Sequence, residues 1–395
     1  MLQDMSNQPK RLAIFLPALH GGGAERTMVN LANEISARGY GVDLVVARLV
    51  GPMQKEIDPQ VRTIDLGAKS TLGSTQALIR YFNQVRPQAV LSALSRANLT
   101  AILARKFSKA PQRLFVCEQN TVSSWTQKSR NWRFRWVPAM AAILYRQSDG
   151  VIAVSQGVAE DLIQKCKVPR KKVIVIHNPV ISPSMQQRAD EPLCHDWLSK
   201  NSAPLILAVG SLTLQKDYPT LIDAFAQLRR RRACKLLILG EGSQRETIEK
   251  AVVSHGLEQD VSLPGFVSNP YAYMRRASAF ALTSKWEGLP TVLIEALYCG
   301  LPVVSTDCPS GPREILQAGR FGQLVPVGDA SAIAHALQRA IDGDGPTPQR
   351  EAWQKFTVQS ICDQFLAVMI GGDTPDVEGD QTVASERSDF GNPIS

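Results

Sequence analysis

Residues 279 to 306 read AFALTSKWEGLPTVLIEALYCGLPVVST. The apolar run Ala279 to Thr283 predicts a buried strand, Pro290 to Tyr298 a helix, and Pro302 to Thr306 a second strand. Pro290 suits the first turn of that helix and Gly300 its end. A strand, a crossover helix and a further strand make a parallel sheet. Glu287 then sits just past the carboxyl end of a strand, where Gly288 allows close approach of the backbone to a ligand. Glu295 lies about one and a half turns into the helix, among Val292, Leu293, Ile294, Ala296 and Leu297. A carboxylate among such neighbours costs several kcal/mol unless something hydrogen-bonds it, and ligand hydroxyls supply such bonds.

The same alternation extends in both directions. Upstream, strands are expected at Leu205 to Gly210 and Lys235 to Leu239, with helices at Tyr218 to Arg229 and Ser243 to His255. In the first half, Leu12 to Leu16 and Val42 to Val46 flank a helix with Met28, Leu31, Ala32 and Ile35 at helical spacing. Further strands are expected at Ala89 to Leu94, Leu114 to Glu118, Gly150 to Val154 and Val173 to Ile176. The pattern pauses between Asn178 and Ser202, a stretch with Pro179, Pro183 and Pro192. A chain of 395 residues exceeds the roughly 250 to 300 at which single cores stop growing. We therefore read a Rossmann-like domain over 1–185, a linker over 186–202 and a second Rossmann-like domain over 203–345. A helix within 346–370 is placed to cross back, and the tail 371–395 has the composition of a disordered acidic segment. Two doubly wound domains facing each other open the carboxyl ends of both sheets onto one cleft, where such sheets bind ligands.

Composition narrows the chemistry. The net charge is +8, yet the tail holds six acids against Arg387, so the other residues hold 43 basic and 30 acidic side chains, a balance of +13. Seven scattered cysteines include no Cys-x-x-Cys pair, which fits a reducing compartment with mostly buried thiols. The early apolar run Leu12 to Leu19 is far shorter than the roughly 18 residues that span a bilayer. Gly-x-Ser-x-Gly is absent, which excludes a hydrolase elbow despite the run HGGG, and the dipeptide Gly-Lys never occurs, which excludes a P-loop. No nucleic-acid-binding pattern accompanies the basic charge.

Two further loops suit a phosphate. HGGGAER, residues 20 to 26, follows the first strand and opens the first helix, so Gly22 and Gly23 leave backbone amides free to face an anion. VGSLTLQKDYPTLI, residues 209 to 222, places Ser211 and Lys216 after the first strand of the second domain, where a lysine neutralises a departing diphosphate. Loops for a diphosphate and carboxylates for hydroxyls together describe a nucleotide-sugar site.

EGLPTVLIEAL, GLPVVSTD, the 209–222 stretch, LGEG at 239 to 242, GGAER and AVSQGVAEDL together resemble the family-4 glycosyltransferases of GT-B fold, from about residue 11 to about 368. The resemblance implies retaining, metal-independent transfer of a sugar from a nucleotide-sugar, usually UDP-linked, with no cofactor. It implies Glu295 at the ribose hydroxyls, Glu287 with the amides of Gly288 and Leu289 at the donor sugar, Lys216 at the diphosphate, and Gly22 and Gly23 approaching the phosphates from the other domain. The implied acceptor is a glycan or polyprenyl-linked saccharide of envelope polysaccharide, lipopolysaccharide or glycoprotein-glycan synthesis, at the cytoplasmic face of the inner membrane. A nucleotide-sugar hydrolase or epimerase, or a non-catalytic donor-binding partner protein, is the alternative.

Two positions depart from the family pattern. Ser211 stands where many members have an arginine, its replacement being Arg26 or Arg313. CEQNT at 117 to 121 offers Gln119 where many have a histidine, leaving Glu118 or Gln119 to contact donor or acceptor. Finally, no acid occurs between Glu118 and Asp149, while Lys128, Arg130, Arg133, Arg135 and Arg146 interleave with Trp125, Trp132, Phe134, Trp136 and Tyr145. Such a segment suits an anionic membrane surface, or a solvated basic helix over an aromatic core.

Overall fold

Continuous apolar runs suit strands covered on both faces by helices. In the computed structural model, which describes residues 11–110, 112–123, 137–198 and 203–371, they build two parallel sheets. The first contains β1 (Arg11–Leu16), β2 (Gly41–Val46), β3 (Arg62–Asp65), β4 (Ala89–Ala93), β5 (Arg113–Glu118), β6 (Gly150–Ala153) and β7 (Val173–Val175). Their order is β3-β2-β1-β4-β5-β6-β7. The second contains β8 (Leu205–Val209), β9 (Lys235–Leu239), β10 (Val261–Gly265), β11 (Ala279–Leu282), β12 (Val303–Thr306) and β13 (Gln323–Val325), ordered β10-β9-β8-β11-β12-β13. Every strand pair is parallel. Strand order reverses between β1 and β4 and again between β8 and β11, the switch points at which doubly wound sheets hold ligands.

Helices follow the expected periodicity. In the helix Gly23–Ala37, Met28, Leu31, Ala32 and Ile35 are buried. The helix Thr291–Tyr298 buries Leu293, Ile294, Ala296 and Leu297 and ends before Gly300, which takes φ +79°. The stretch read as a linker carries a short helix, Ser184–Asp190, that buries Met185 and Ala189. After the second sheet the chain returns to the first: the amides of Val180 and Ile181 both donate to Phe356 O at 3.0 Å. From the helix Val358–Leu366, Gln359 O accepts from Arg38 at 2.8 Å, while the Trp353 ring packs edge-on against Tyr298 with centroids 4.9 Å apart.

Six of the seven cysteines are buried and all are free thiols, Cys194 being the exposed one. Among the described residues no helix is long and apolar enough to cross a membrane. Residues 125–136 of the basic aromatic segment and residues 372–395 of the tail lie outside the described residues. Tyr145, from the described end of that segment, is a core residue, 1% exposed, as the reading of an aromatic core beneath a basic helix expects.

Candidate functional site

A cleft of about 680 Å³ opens between the carboxyl ends of the two sheets. From the first sheet come Gly22, Gly23 and Arg26 after β1, Gln119 after β5, and Asn178 beyond β7. From the second come Ser211 and Lys216 after β8, Glu287, Leu289 and Thr291 after β11, and Glu295 one turn deeper. Residues separated by more than 270 positions thus share one cavity.

Glu287 is 5% exposed and held by three donors. Lys216 Nζ lies 2.6 Å from Oε1, Ser284 Oγ donates to the same oxygen at 2.6 Å, and Gln215 Nε2 reaches Oε2 at 3.2 Å. These three bonds satisfy the carboxylate that burial takes out of water. Lys216, whose side chain is 15% exposed, is thereby fixed in the cleft instead of extending into solvent.

Glu295 is also 5% exposed, but among the described residues no group hydrogen-bonds its carboxylate. Burial pushes its carboxyl above the usual range, and the charges of Arg26 and Arg188 oppose that rise. Arg26, from the first domain, donates to Tyr271 Oη at 3.1 Å and lies 3.8 Å from Glu56. It lines the cleft together with Glu295 and Ser211, which makes it a candidate for the cationic place that Ser211 does not fill. Arg313, the other candidate for that place, has a side chain 63% exposed, pairs with Asp307 and does not line the cleft.

The two helix starts face one another. Gly22 caps the helix Gly23–Ala37, its N–H donating to Glu25 Oε2 at 2.7 Å. A Cβ on Gly23 would stand 2.7 Å from Thr291 Oγ1, in the first turn of the facing helix. Two sets of unpaired N–H groups and two positive dipole ends therefore border one space.

Two expectations change. Glu118 does not line the cleft: it is 1% exposed and accepts from Ser95 Oγ at 2.9 Å, Asn98 Nδ2 at 3.2 Å and the Tyr145 hydroxyl. Lying at the end of β5, it points inward under the helix Ser95–Phe107, and Gln119, one residue on, faces the cleft. Gln119 is anchored by Asn178 Nδ2 donating to its Oε1 at 2.8 Å. Gly288 meets backbone, not an open ligand space: it bridges to Asn120, and a Cβ on it would fall 2.1 Å from Gln119 O. Its carbonyl accepts from Ser155 Oγ of the first domain and from Ser310 Oγ of its own domain, both at 2.8 Å, so the bond from Ser155 and the bridge to Asn120 clasp the loop after β11 to the first domain.

Sequence reasoning passed over Tyr271, Asn178 and Thr291. Tyr271 and Asn178 lie outside the motifs, and Thr291 reads as an ordinary first-turn residue; contact across domains places Tyr271 against Arg26 and Thr291 against Gly23, while Asn178 is placed by Gln119 and Thr27 of its own domain.

Residues 194–359 match the family model described as glycosyl transferases group 1, and residues 21–181 match glycosyltransferase family 4. The chain is 31% identical over 345 residues to the Campylobacter jejuni N-acetylgalactosamine-N,N'-diacetylbacillosaminyl-diphospho-undecaprenol 4-alpha-N-acetylgalactosaminyltransferase, covering 85% of this chain and 91% of that protein. It is 26% identical over 299 residues to the amylovoran biosynthesis glycosyltransferase AmsD of Erwinia amylovora, covering 75% and 81%. Among solved structures, Anabaena HepE in complex with UDP-glucose superposes with a TM-score of 0.73 at 19% identity, covering 91% of this chain and 99% of that one. The apo form of the lipopolysaccharide outer core galactosyltransferase WaaB gives 0.64 at 22% identity, with the same coverage. The fold is GT-B.

Proposed function

This chain belongs to the family-4, group 1 glycosyltransferases and is a hexosyltransferase, and from that premise we propose its donor, its acceptor and the work of its cleft residues. The donor is a UDP-linked hexose, transferred with retention and without a metal ion. The acceptor is a hydroxyl of a lipid-linked or envelope glycan, reached at the cytoplasmic face of a membrane. Relatives named for transfer to a diphospho-undecaprenol saccharide and for lipopolysaccharide galactosyl transfer support that class, and make UDP-N-acetylgalactosamine and UDP-galactose the first donors to assay.

The observation that carries the donor reading is Glu295, buried, lacking a hydrogen-bond donor and facing the cleft. Ribose hydroxyls satisfy such a carboxylate, where a purely structural glutamate would have found protein donors. The diphosphate lies between the two helix starts, with Lys216 and Arg26 as its cations. Charge that builds on the leaving phosphate is met by fixed N–H dipoles and ammonium or guanidinium groups already in position. Glu287, with Leu289 beside it, holds the hexose hydroxyls; Ser211 and Gln119 complete the polar wall. As the bond from the anomeric carbon to the diphosphate breaks, the acceptor oxygen bonds that carbon and its proton passes to a phosphate oxygen.

Calorimetric titration with UDP in the presence of a chelator, on the wild type and on Glu295→Ala, tests this reading. Binding by the wild type and its loss in the variant support the ribose role; binding indifferent to Glu295, or none, rejects the assigned site. A donor-only assay that releases or converts sugar without acceptor would instead favour a hydrolase or epimerase.

A further inference from the structure

A second cavity, of about 560 Å³, lies on the first domain alongside the donor cleft. Its lining brings together Arg48 after β2, Lys69 after β3 and Arg96 in the first turn of the helix Ser95–Phe107. All three side chains are exposed, and among the described residues none takes part in an ion pair. The lining holds one acid, Glu25, and its carboxylate is turned back to the Gly22 N–H at 2.7 Å. The helix Ser95–Phe107 has no side-chain cap, so the N–H groups of its first turn stay open. Thr121, 4% exposed, lines the same cavity, and among the described residues its hydroxyl has no hydrogen-bond partner. A buried hydroxyl left unpaired calls for a partner, which an ordered water or a bound group supplies.

We propose that this cavity binds a phosphate or diphosphate group carried by the acceptor, gripped by Arg48, Lys69 and Arg96; the assignment of that group to the acceptor rests on the transferase reading above. Three unpaired cations around a concave space, with the neighbouring acid already engaged, are complementary to a polyanion and leave a neutral glycan with excess charge around it. The donor diphosphate has separate cations, Lys216 and Arg26, in the other cavity. The two spaces meet: His20 and Glu25 line both, and Gln215, which lines the acceptor cavity, donates to Glu287 Oε2 at 3.2 Å. An acceptor fixed by its phosphate in the second cavity therefore presents a sugar hydroxyl toward the hexose held at Glu287.

The test is calorimetric titration of the UDP-saturated protein with inorganic pyrophosphate, on the wild type and on Arg48→Gln/Arg96→Gln. Both positions are exposed, and thermal melting checks that the variant is folded. The expected result is one pyrophosphate site in the wild type, weakened by about tenfold or more in the variant, with UDP affinity unchanged. No pyrophosphate binding by the wild type, or equal binding by both proteins, overturns the proposal. If the wild type fails to bind UDP, the donor reading fails by itself, and the comparison between wild type and variant, made without UDP, still decides this one. Farnesyl diphosphate in the same titration separates the two sources of the anion. Binding well above that of pyrophosphate assigns a lipid-linked acceptor, and equal binding assigns a soluble phosphorylated saccharide; a variant that retains full affinity for both probes overturns the site.

Discussion

Lys216 and Glu287, 71 residues apart and each at the carboxyl end of a strand, form a 2.6 Å ion pair within the cleft. Their side chains are 15% and 7% exposed, so neither charge is free to return to water when its partner is removed. Lys216→Ala leaves Glu287 with Ser284 and Gln215 alone, and we expect a loss of about 3 kcal/mol in denaturant unfolding. The double substitution Lys216→Met/Glu287→Gln removes both charges and should recover more than half of that loss while remaining inactive. A double variant no more stable than Lys216→Ala would show that the pair is not what stabilises this corner of the cleft.

Arg26 is the cation that the first domain lends to the cleft. Arg26→Gln should weaken UDP by about tenfold, the effect of removing one charge-assisted contact. Arg313→Gln, exposed and paired with Asp307 outside the cleft, should leave UDP affinity as it is. Equal losses from both substitutions would point to long-range charge instead of contact, and no loss from Arg26→Gln would remove it from the diphosphate.

The central strands could be read from sequence because they are buried on both faces and therefore continuously apolar: β1, β2, β4, β5, β8, β9, β11 and β12 fall within a residue or two of expectation. Of the edge strands, β7 carries the apolar run Val173–Val175 and falls where expected, whereas β3, β10 and β13 could not be read. RTID has two charged ends, VSLPG contains Pro264, and QLV is three residues long, so each lacks the signature that burial imposes. The cleft divides in the same way. Glu287, Glu295 and Lys216 lie in motifs whose local pattern predicts a strand end or helix start. Gln119 over Glu118 follows from alternation at the end of β5, where Glu118 turns inward to Ser95, Asn98 and Tyr145. The placement of Arg26 in the cleft and the clasp on Gly288 depend on how one domain meets the other, which no local period encodes.

Gly288 is where that meeting is tightest. Gly288→Ala would drive a methyl group to within 2.1 Å of Gln119 O, and backbone on both sides leaves nothing flexible to yield. The domains must separate there, breaking the bridge to Asn120 and the bond from Ser155. We expect a larger radius of gyration in solution scattering and a drop in UDP affinity of about tenfold or more, because Gly22 and Gly23 withdraw from the facing helix start. Unchanged scattering with unchanged affinity would mean that the contact is not needed to close the cleft.

Glu118 gives the fold a dependence on pH with a definite sign. Burial raises its carboxyl from 4.5 to about 6, although Tyr145, Ser95 and Asn98 all donate to it and pull the other way. An acid whose folded value lies above its unfolded value binds its proton more tightly in the native state. Its contribution is therefore complete below about pH 4.5 and is lost as the pH rises through about 6. The difference amounts to about 2 kcal/mol. Glu118→Gln keeps the shape without the titration, so the stability of the wild type relative to this variant should fall by about 2 kcal/mol from pH 4 to pH 7 in denaturant unfolding. A relative stability that stays level or rises across that range would mean that Glu118 is ionised throughout, with its three donors outweighing its burial.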